Sequence, residues 1–207
     1  MRPTTAREAT RPATRLQREL AARGAVGRPT ALDAFRLGRR TFNEGRRVDM
    51  SALAEELGIN RVTLYRWVGS REQLLVEIIW SLAADTLELL DTEVSASGAE
   101  RIVQLVTGFI DYSIANRGFT RWVAEEGESA MRLLTRREPD FQPRLIDAVH
   151  VRLEQESLAG RLSLPVDLGE VAFVIVRLIE SYVYLDLITG DVPDARRAEP
   201  ILRLLLR

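Results

Sequence analysis

One stretch of the sequence, residues 49–75, limits the possible fold more than any other: DMSALAEELGINRVTLYRWVGSREQLL. It predicts two short helices joined by a tight turn and followed at once by a third. Asp49 is placed to cap a first helix from Met50 to Leu57. Gly58 then supplies a sharp exit from that helix, in a conformation that a residue with a Cβ resists.

The second half of the stretch carries the signals of two more helix starts. Asn60 is placed to cap a helix from Arg61 to Val68, and Gly69 ends it. Ser70 and Gln73 form an S-x-x-Q capping box for the third helix. Two helices across a short turn that contains glycine are the plan of a helix-turn-helix unit.

The charges are distributed unevenly along the chain. All 29 basic residues of the 207 are arginine, and the formal net charge is −1. Residues 1–71 hold 15 Arg and 7 acidic residues, a net charge of +8, whereas residues 72–207 hold 14 Arg and 23 acidic residues, a net charge of −9. A basic third that carries a helix-turn-helix pattern indicates a polyanionic partner, and the alternative is a solvated, arginine-rich surface.

Several classes of site lack the residues they need. The chain has no Cys and one His, which argues against disulfides, thiolate chemistry and a zinc site, so no metal is expected. No glycine-rich phosphate loop occurs, and we expect neither a cofactor nor enzymatic activity. No secretory signal is visible. The apolar run from Val171 to Ile188 contains Arg177, Glu180 and Asp186, which favours a buried helix over a membrane span. We therefore expect a cytoplasmic protein.

The rest of the chain predicts an all-α protein with three parts. Residues 1–28 form an Arg-rich arm broken by Pro and Gly, residues 29–75 form the helix-turn-helix domain, and residues 76–207 form a larger helical domain. A helix from Thr30 to Asn43 completes the small domain, and one from Ser70 to Asp91 links the two. Later helices are expected at Ala99–Asn116, Thr120–Gly127, Glu128–Arg137, Asp140–Ala159, Leu168–Thr189 and beyond Asp194.

Two late segments have more apolar surface than one subunit can easily cover. Residues 171–188 are apolar nearly all round, and the end of the chain repeats this with leucines at 202 and 204–206. Two such helices from each of two subunits would form a four-helix interface, so we expect a homodimer. The alternative is a deep core within a monomer.

The helix-turn-helix stretch resembles the tetracycline-repressor (TetR) family of bacterial regulators. The matching positions are Leu53-Ala54, Gly58, Thr63-Leu64-Tyr65-Arg66-Trp67, Ser70-Arg71 and Leu74, in register and without a gap. Within the family, RVTLYRWVGSREQLLVEIIWSL is similar to the QsdR-type regulators, which control operons that degrade quorum-sensing lactones. The resemblance implies an Ω-shaped homodimer, a double-stranded DNA operator, and repression released by a small-molecule effector. Val62, where the family usually has glycine, is the main departure.

In such a module the second helix lies in the major groove. Arg61 is the best candidate to contact a guanine, and Val62 with the Thr63 methyl group to touch a thymine. Tyr65, Trp67 and Arg71 are expected at phosphates, while Leu64 and Val68 belong to the core. For the two aromatic residues the alternative is core packing. The residues expected at the DNA interface are Arg47, Ser51, Asn60, Arg61, Val62, Thr63, Tyr65, Arg66, Trp67 and Arg71.

The effector site is expected between helices of the larger domain, in a mostly apolar pocket with few polar groups. Few basic residues lie on the inward faces, which favours a neutral or lipophilic effector. The resemblance to the QsdR-type regulators implies a lactone as one such effector. Core packing is the alternative for the aromatic residues, and a satisfied side chain for the histidine. The candidate residues are Trp80, Phe109, Tyr112, Trp122, His150, Glu180 and Tyr182.

Two other classes of protein can contain a similar segment. A recombinase or transposase can carry a DNA-binding stretch like LGINRVTLYRW, but it also needs a nucleophilic serine or a carboxylate triad, usually on a mixed α/β domain. A metabolic enzyme with an incidental helix-turn-helix would need catalytic motifs that this sequence lacks. The helical remainder of the chain therefore favours the regulator.

Overall fold

The computed structural model describes residues 29–136 and 140–207, and within them every regular element is helical. This confirms the all-α prediction. The predicted arm, residues 1–28, lies outside the described residues. The helices are α1 (Ala31–Asn43), α2 (Met50–Glu56), α3 (Arg61–Val68), α4 (Arg71–Glu93), α5 (Gly98–Ala115), α6 (Arg117–Thr135), α7 (Phe141–Leu158), α8 (Leu168–Val183), α9 (Leu185–Thr189), a 3₁₀ turn (Ala195–Arg197) and α10 (Glu199–Leu205).

Side-chain caps place the starts of the first helices where the sequence predicted them. Asp49 accepts hydrogen bonds from the backbone N–H groups at the start of α2, and Asn60 accepts one from Thr63 at 2.7 Å at the start of α3. Ser70 and Gln73 complete a reciprocal capping box at the start of α4. These bonds satisfy donors that a helix leaves free at its first turn, and they fix the directions of α2 and α3.

Helices α1, α2 and α3 share a small core that the first turns of α4 close. Phe42, Leu53, Leu64 and Ile78 are all buried in it. The helices approach closely at Gly38, where an added Cβ would lie 3.1 Å from a methyl carbon of Ile78. The orientation of α3 is therefore held by packing against both α1 and α4.

The long helix α4 joins this small core to the rest of the molecule. Its first turns pack on α1 and α3, while its later turns pack on α5. Helix α5 is the centre of the second part, in contact with α4, α6, α7, α8 and α10. Helices α7 and α8 form a closely packed pair beside it. None of the described helices is both long and apolar enough to cross a lipid bilayer.

Two helix breaks can be compared with the predicted helices. The two short helices predicted around Gly127 correspond to the two parts of α6, which meet at a break at Glu126 (φ −128°, ψ 31°), one residue before Gly127. The single helix predicted from Leu168 to Thr189 is divided at Tyr184 (φ −103°, ψ 23°) into α8 and α9. Both breaks lie at residues that help to form the sites described below. Hydrophobic periodicity in the sequence does not show that role.

Candidate functional site

Helix α3 presents one exposed face made of its first and fifth positions and their neighbours. Arg61, Val62, Tyr65 and Arg66 are all exposed, with 78% of Val62 accessible to solvent. Leu64 is fully buried, as its assignment to the core predicted. Because positions four apart share a face of a helix, these exposed side chains form a continuous strip.

The charges on this strip are less compensated than those on the neighbouring helices. Within the described part of residues 29–71, every arginine except Arg61 and Arg66 lies within 4 Å of a carboxylate oxygen. The guanidinium of Arg61 instead lies 5.9 Å from the centre of the Tyr65 ring, as a cation over an aromatic face. The outward face of α3 is thus a positively charged surface that a polyanion can approach.

The other residues predicted at this surface are placed in different ways. Arg47 and Ser51 are exposed beside α2. Asn60 uses its side-chain oxygen to cap α3, so it acts on the helix start. Thr63 and Trp67 are half-buried, and the indole of Trp67 packs against the core.

Arg71 has its donors engaged within the protein. Its Nη1 and Nη2 atoms donate to the Glu126 carboxylate at 2.7 and 2.6 Å, and its Nε donates to the carbonyl of Val48 at 2.7 Å. Only a fifth of each of the two charged side chains is exposed. These bonds, and then the nearby charges of Arg71 and Arg47, hold the pKa of Glu126 below its usual range. Arg71, in α4, therefore connects this helix both to α6 and to the segment that precedes α2.

Aromatic packing reinforces the same junction. The rings of Phe42 in α1 and Trp122 in α6 meet edge to face at 6.0 Å, and Trp122 meets Phe119 in the same way at 6.2 Å. At Gly118 the start of α6 touches the end of α1 so closely that an added Cβ would lie 2.9 Å from the carbonyl carbon of Phe42. The break at Glu126 lies one turn beyond these contacts.

A small cavity of about 60 Å³ lies between α4, α5, α7 and α8. Its wall is mostly apolar, with polar groups from Glu180 and Tyr184 on one side. The residues that line it are Ile79, Leu82, Ala83, Thr86, Phe109, Tyr112, Ser113, Asn116, Phe119, Phe141, Leu145, Ile179, Glu180, Val183 and Tyr184. An apolar wall with a few converging polar groups is typical of a small-molecule site.

Glu180 is the buried carboxylate of this wall. Gln142 Nε2 donates to its Oε1 atom, and Arg177 Nη2 lies 3.0 Å from its Oε2 atom. Arg177 Nη2 also donates to the side-chain oxygen Oε1 of Gln142, which closes a triangle of polar groups. Burial raises the pKa of Glu180, and the Arg177 charge and the Gln142 hydrogen bond oppose that shift.

Three of the seven residues predicted for the effector site line this cavity: Phe109, Tyr112 and Glu180. The other four lie elsewhere. Trp80 packs edge to face on Phe141 with Arg144 over its ring, and Trp122 belongs to the junction with α1. His150 lies in a groove between α7 and α8, and Tyr182 is half-buried outside the cavity.

Tyr184, Phe119 and Phe141 were not predicted and do line the cavity. Phe119 and Phe141 stand at the beginnings of α6 and α7, and Tyr184 stands at a helix break. Helical periodicity assigns a face most clearly inside a regular helix, so Phe119 and Phe141, which stand at helix starts, carried no such signal. A polar hydroxyl within the apolar run of α8 was the one available clue to Tyr184.

A sequence model described as the tetracyclin repressor-like C-terminal domain matches residues 97–207, more than half of the chain. The chain belongs to the TetR family. A solved structure of QsdR, a TetR-family transcriptional repressor of R. erythropolis, is similar over 85% of this chain and 93% of that one. Its TM-score is 0.78 at 22% identity, which establishes a common fold.

The TetR-family regulator PfmR of Thermus thermophilus shares 17% identity over 86% of this chain and 96% of that one, with a TM-score of 0.45. A comparison with curated protein sequences found no match. As a member of the TetR family, the chain is a DNA-binding transcriptional regulator of the helix-turn-helix type.

Proposed function

We propose that this TetR-family chain is a repressor that binds a palindromic operator as a homodimer and leaves it when a small, neutral, largely apolar ligand enters the cavity. The observation that carries the DNA-binding surface is the exposed face of α3. Within the described part of residues 29–71, Arg61 and Arg66 on this face are the arginines without a carboxylate partner. The buried Leu64 anchors the middle of α3 in the core.

In this proposal α3 lies in the major groove with its first turn at the base edges. Arg61 donates to O6 and N7 of a guanine, and Val62 contacts a thymine methyl group. Arg66 and Tyr65, further along the exposed face, contact phosphates, together with Arg47 and Ser51 outside α3. Asn60 contributes by capping the helix and Trp67 by packing beneath it.

Arg71 has a different role in this proposal from the phosphate contact expected from the sequence. Its three nitrogen atoms already donate to Glu126 and Val48, so a phosphate would have to displace a bidentate carboxylate. We therefore assign Arg71 to holding α4 and the segment before α2 against α6, which supports the helix-turn-helix unit that carries the DNA-binding face.

The dimer interface in this proposal lies on α8 and α7. Phe173 and Val174 are exposed on α8, Leu178 continues the strip one turn later, and Val151 is exposed on α7. The sequence had paired the α8 segment with the last helix. Helix α10, however, packs on α5 and the 3₁₀ turn, whereas α7 lies along α8. A second copy on the α7–α8 face would form a four-helix interface.

Ligand and DNA are linked in this proposal through α4 and α6. Helix α4 lines the cavity with Ile79 and Ala83 and carries Arg71 in its first turn. A ligand that prefers one tilt of α4 would change the separation of the two α3 helices, which DNA requires to be about 34–36 Å or a multiple of it. The ligand shifts this equilibrium only by its difference in affinity for the two arrangements.

The test is selection of binding sites from a pool of random DNA duplexes with the full chain. The proposal predicts enrichment of one palindromic sequence whose half-sites lie about 10 bp, or a multiple of that, apart. Light scattering of the complex should give an even number of protomers for each duplex. A pool without an enriched sequence, or a monomer on each half-site alone, would contradict the proposal.

A further inference from the structure

The polar side of the cavity is formed by two residues one helical turn apart. Glu180 and Tyr184 both line the cavity, and the N–H of Tyr184 donates to the Glu180 carbonyl at 2.9 Å. Residues with this separation share one face of a helix, so their side chains enter the cavity side by side. A ligand in the cavity meets the two together.

The Tyr184 hydroxyl is an open donor in a buried place. The residue is 3% exposed, and its hydroxyl makes no hydrogen bond to any of the described residues. The other hydroxyls of the wall have partners: Thr86 donates to the Leu82 carbonyl at 2.9 Å, Ser113 to the Phe109 carbonyl at 2.7 Å, and Tyr112 to the Glu93 carboxylate at 3.5 Å.

Among the described residues, the side-chain atoms that are shut off from solvent without a hydrogen-bond partner are Trp122 Nε1 and Arg177 Nε. The Tyr184 hydroxyl is not one of them, so it stays open to the cavity and can donate to a ligand oxygen.

Glu180 supplies the complementary acceptor. It already accepts from Gln142 and faces Arg177, yet a carboxylate has about four lone-pair positions, so it can still accept from a ligand. Because Arg177 already balances the Glu180 charge, a cationic ligand would add an uncompensated positive charge, and an anionic ligand would lie against the Glu180 carboxylate. Both arguments favour a neutral ligand.

The rest of the cavity wall is mostly apolar, so the rest of the ligand is expected to be apolar as well. Phe109, Phe119 and Phe141 contribute aromatic surface, and Ile79, Leu82 and Val183 contribute aliphatic surface. The space of about 60 Å³ holds a polar head group with a few carbon atoms. Tyr112, which is exposed, marks the side from which a longer apolar chain can leave.

We propose that the cavity binds a neutral, largely apolar molecule that carries a hydrogen-bond donor and an acceptor on neighbouring atoms, as an amide does, with its N–H on the Glu180 carboxylate and its carbonyl oxygen on the Tyr184 hydroxyl. This inference rests on the proposed function only in taking the cavity as the effector site. The pairing of donor and acceptor follows from the two side chains themselves.

The experiment measures binding of matched six- and seven-carbon probes to the full chain without DNA, by titration calorimetry or ligand-observed NMR. Hexanamide has both donor and acceptor, 2-heptanone has the same shape and acceptor without the donor, and hexanoate and hexylammonium carry a charge. The expected result is that hexanamide binds at least about tenfold more tightly than each of the other three, since each loses a hydrogen bond or leaves a buried charge unpaired.

Two variants assign the contacts. Tyr184→Phe removes only the hydroxyl and should weaken hexanamide and 2-heptanone by about tenfold each, while leaving thermal stability unchanged or higher. Glu180→Gln should reduce the preference for hexanamide over 2-heptanone. Tyr182→Phe makes the same chemical change outside the cavity and serves as the control.

The inference is overturned if hexanamide shows no saturable binding up to its solubility, or if 2-heptanone or a charged probe binds as tightly. Equal affinity of hexanamide for the wild type and Tyr184→Phe overturns it as well, and so does an equal loss in Tyr182→Phe. Failure of the DNA selection leaves these results untouched. Binding of hexanamide without any effect on DNA affinity would contradict the effector role and not the site.

Discussion

Replacing Glu126 by Gln tests whether the junction between the helix-turn-helix unit and the rest of the molecule depends on the Arg71 ion pair. The variant keeps the shape of the side chain but places an amide N–H₂ opposite the Arg71 donors. Of the two charged hydrogen bonds of 2.7 and 2.6 Å, the amide oxygen can keep one as a weaker acceptor, whereas the other bond and the carboxylate charge are lost, between side chains that are each about a fifth exposed. Charged hydrogen bonds contribute about 1.5–3 kcal/mol, and breaking a fully buried pair costs about 3–5 kcal/mol.

For this partly exposed pair we expect Glu126→Gln to lower the free energy of unfolding by about 2–3 kcal/mol, which lowers Tm by roughly 4–12 °C for a chain of this length. Urea unfolding followed by circular dichroism measures the change. Glu125→Gln is the matched control, because Glu125 pairs with Arg121 at 2.7 Å while their side chains are 47% and 60% exposed. That control should cost less than about 0.5 kcal/mol.

The pH dependence gives an independent check. The pKa of Glu126 in the folded chain lies below its ordinary value of 4.5, so the unfolded chain binds its proton first as pH falls. The stabilisation from Glu126 is thus complete above pH 4.5 and is lost as pH falls through the lower, folded pKa. The difference in free energy of unfolding between wild type and Glu126→Gln should therefore become smaller as pH falls below 4.5. Equal costs for the two variants, or a difference that grows at low pH, would refute the reasoning.

Three further substitutions, two of them with a matched control, test the placement of the helices through the free energy of unfolding. Gly118→Ala should cost at least about 2 kcal/mol because α1 must move away from α6, whereas Gly127→Ala, whose Cβ would sit 3.4 Å from a leucine methyl carbon, should be neutral or stabilising. Leu64→Ala should cost about 2–5 kcal/mol, whereas Val62→Ala, at a residue that is 78% exposed, should change stability by less than about 0.5 kcal/mol. Asn60→Ala should cost about 1 kcal/mol through the lost cap of α3. Equal effects within either matched pair, or no effect of the cap, would contradict these placements.

The helix-turn-helix unit could be predicted from the sequence because its information is local. Caps at Asp49, Asn60 and Ser70 and turns at Gly58 and Gly69 each act within a few residues, and the structure has them at the predicted places. The buried position of Leu64 followed from helical spacing. Local signals of this kind are complete in the sequence itself.

The junction and the cavity depend on contacts between distant segments, which is why the sequence did not reveal them. Arg71 was expected at a phosphate from its place in the motif, but its partner Glu126 is 55 residues away and stands at a helix break. Tyr184 likewise lines a cavity whose other walls, such as Phe119 and Phe141, come from distant segments of the chain. The motif predicted where Arg71 lies in the helix-turn-helix unit. Its hydrogen-bond partner is set by the packing of distant helices, which the motif does not contain.

The most direct test of the central claim is the affinity of wild type and Arg61→Ala for the selected duplex and for duplexes with each base pair replaced in turn. Arg61→Ala should weaken binding to the selected duplex by about 1–3 kcal/mol and abolish the preference at one base pair in each half-site. Arg196→Ala, an exposed arginine in the 3₁₀ turn, should change neither. An Arg61→Ala protein that keeps its full base preference at every position would contradict the claim that α3 reads the operator.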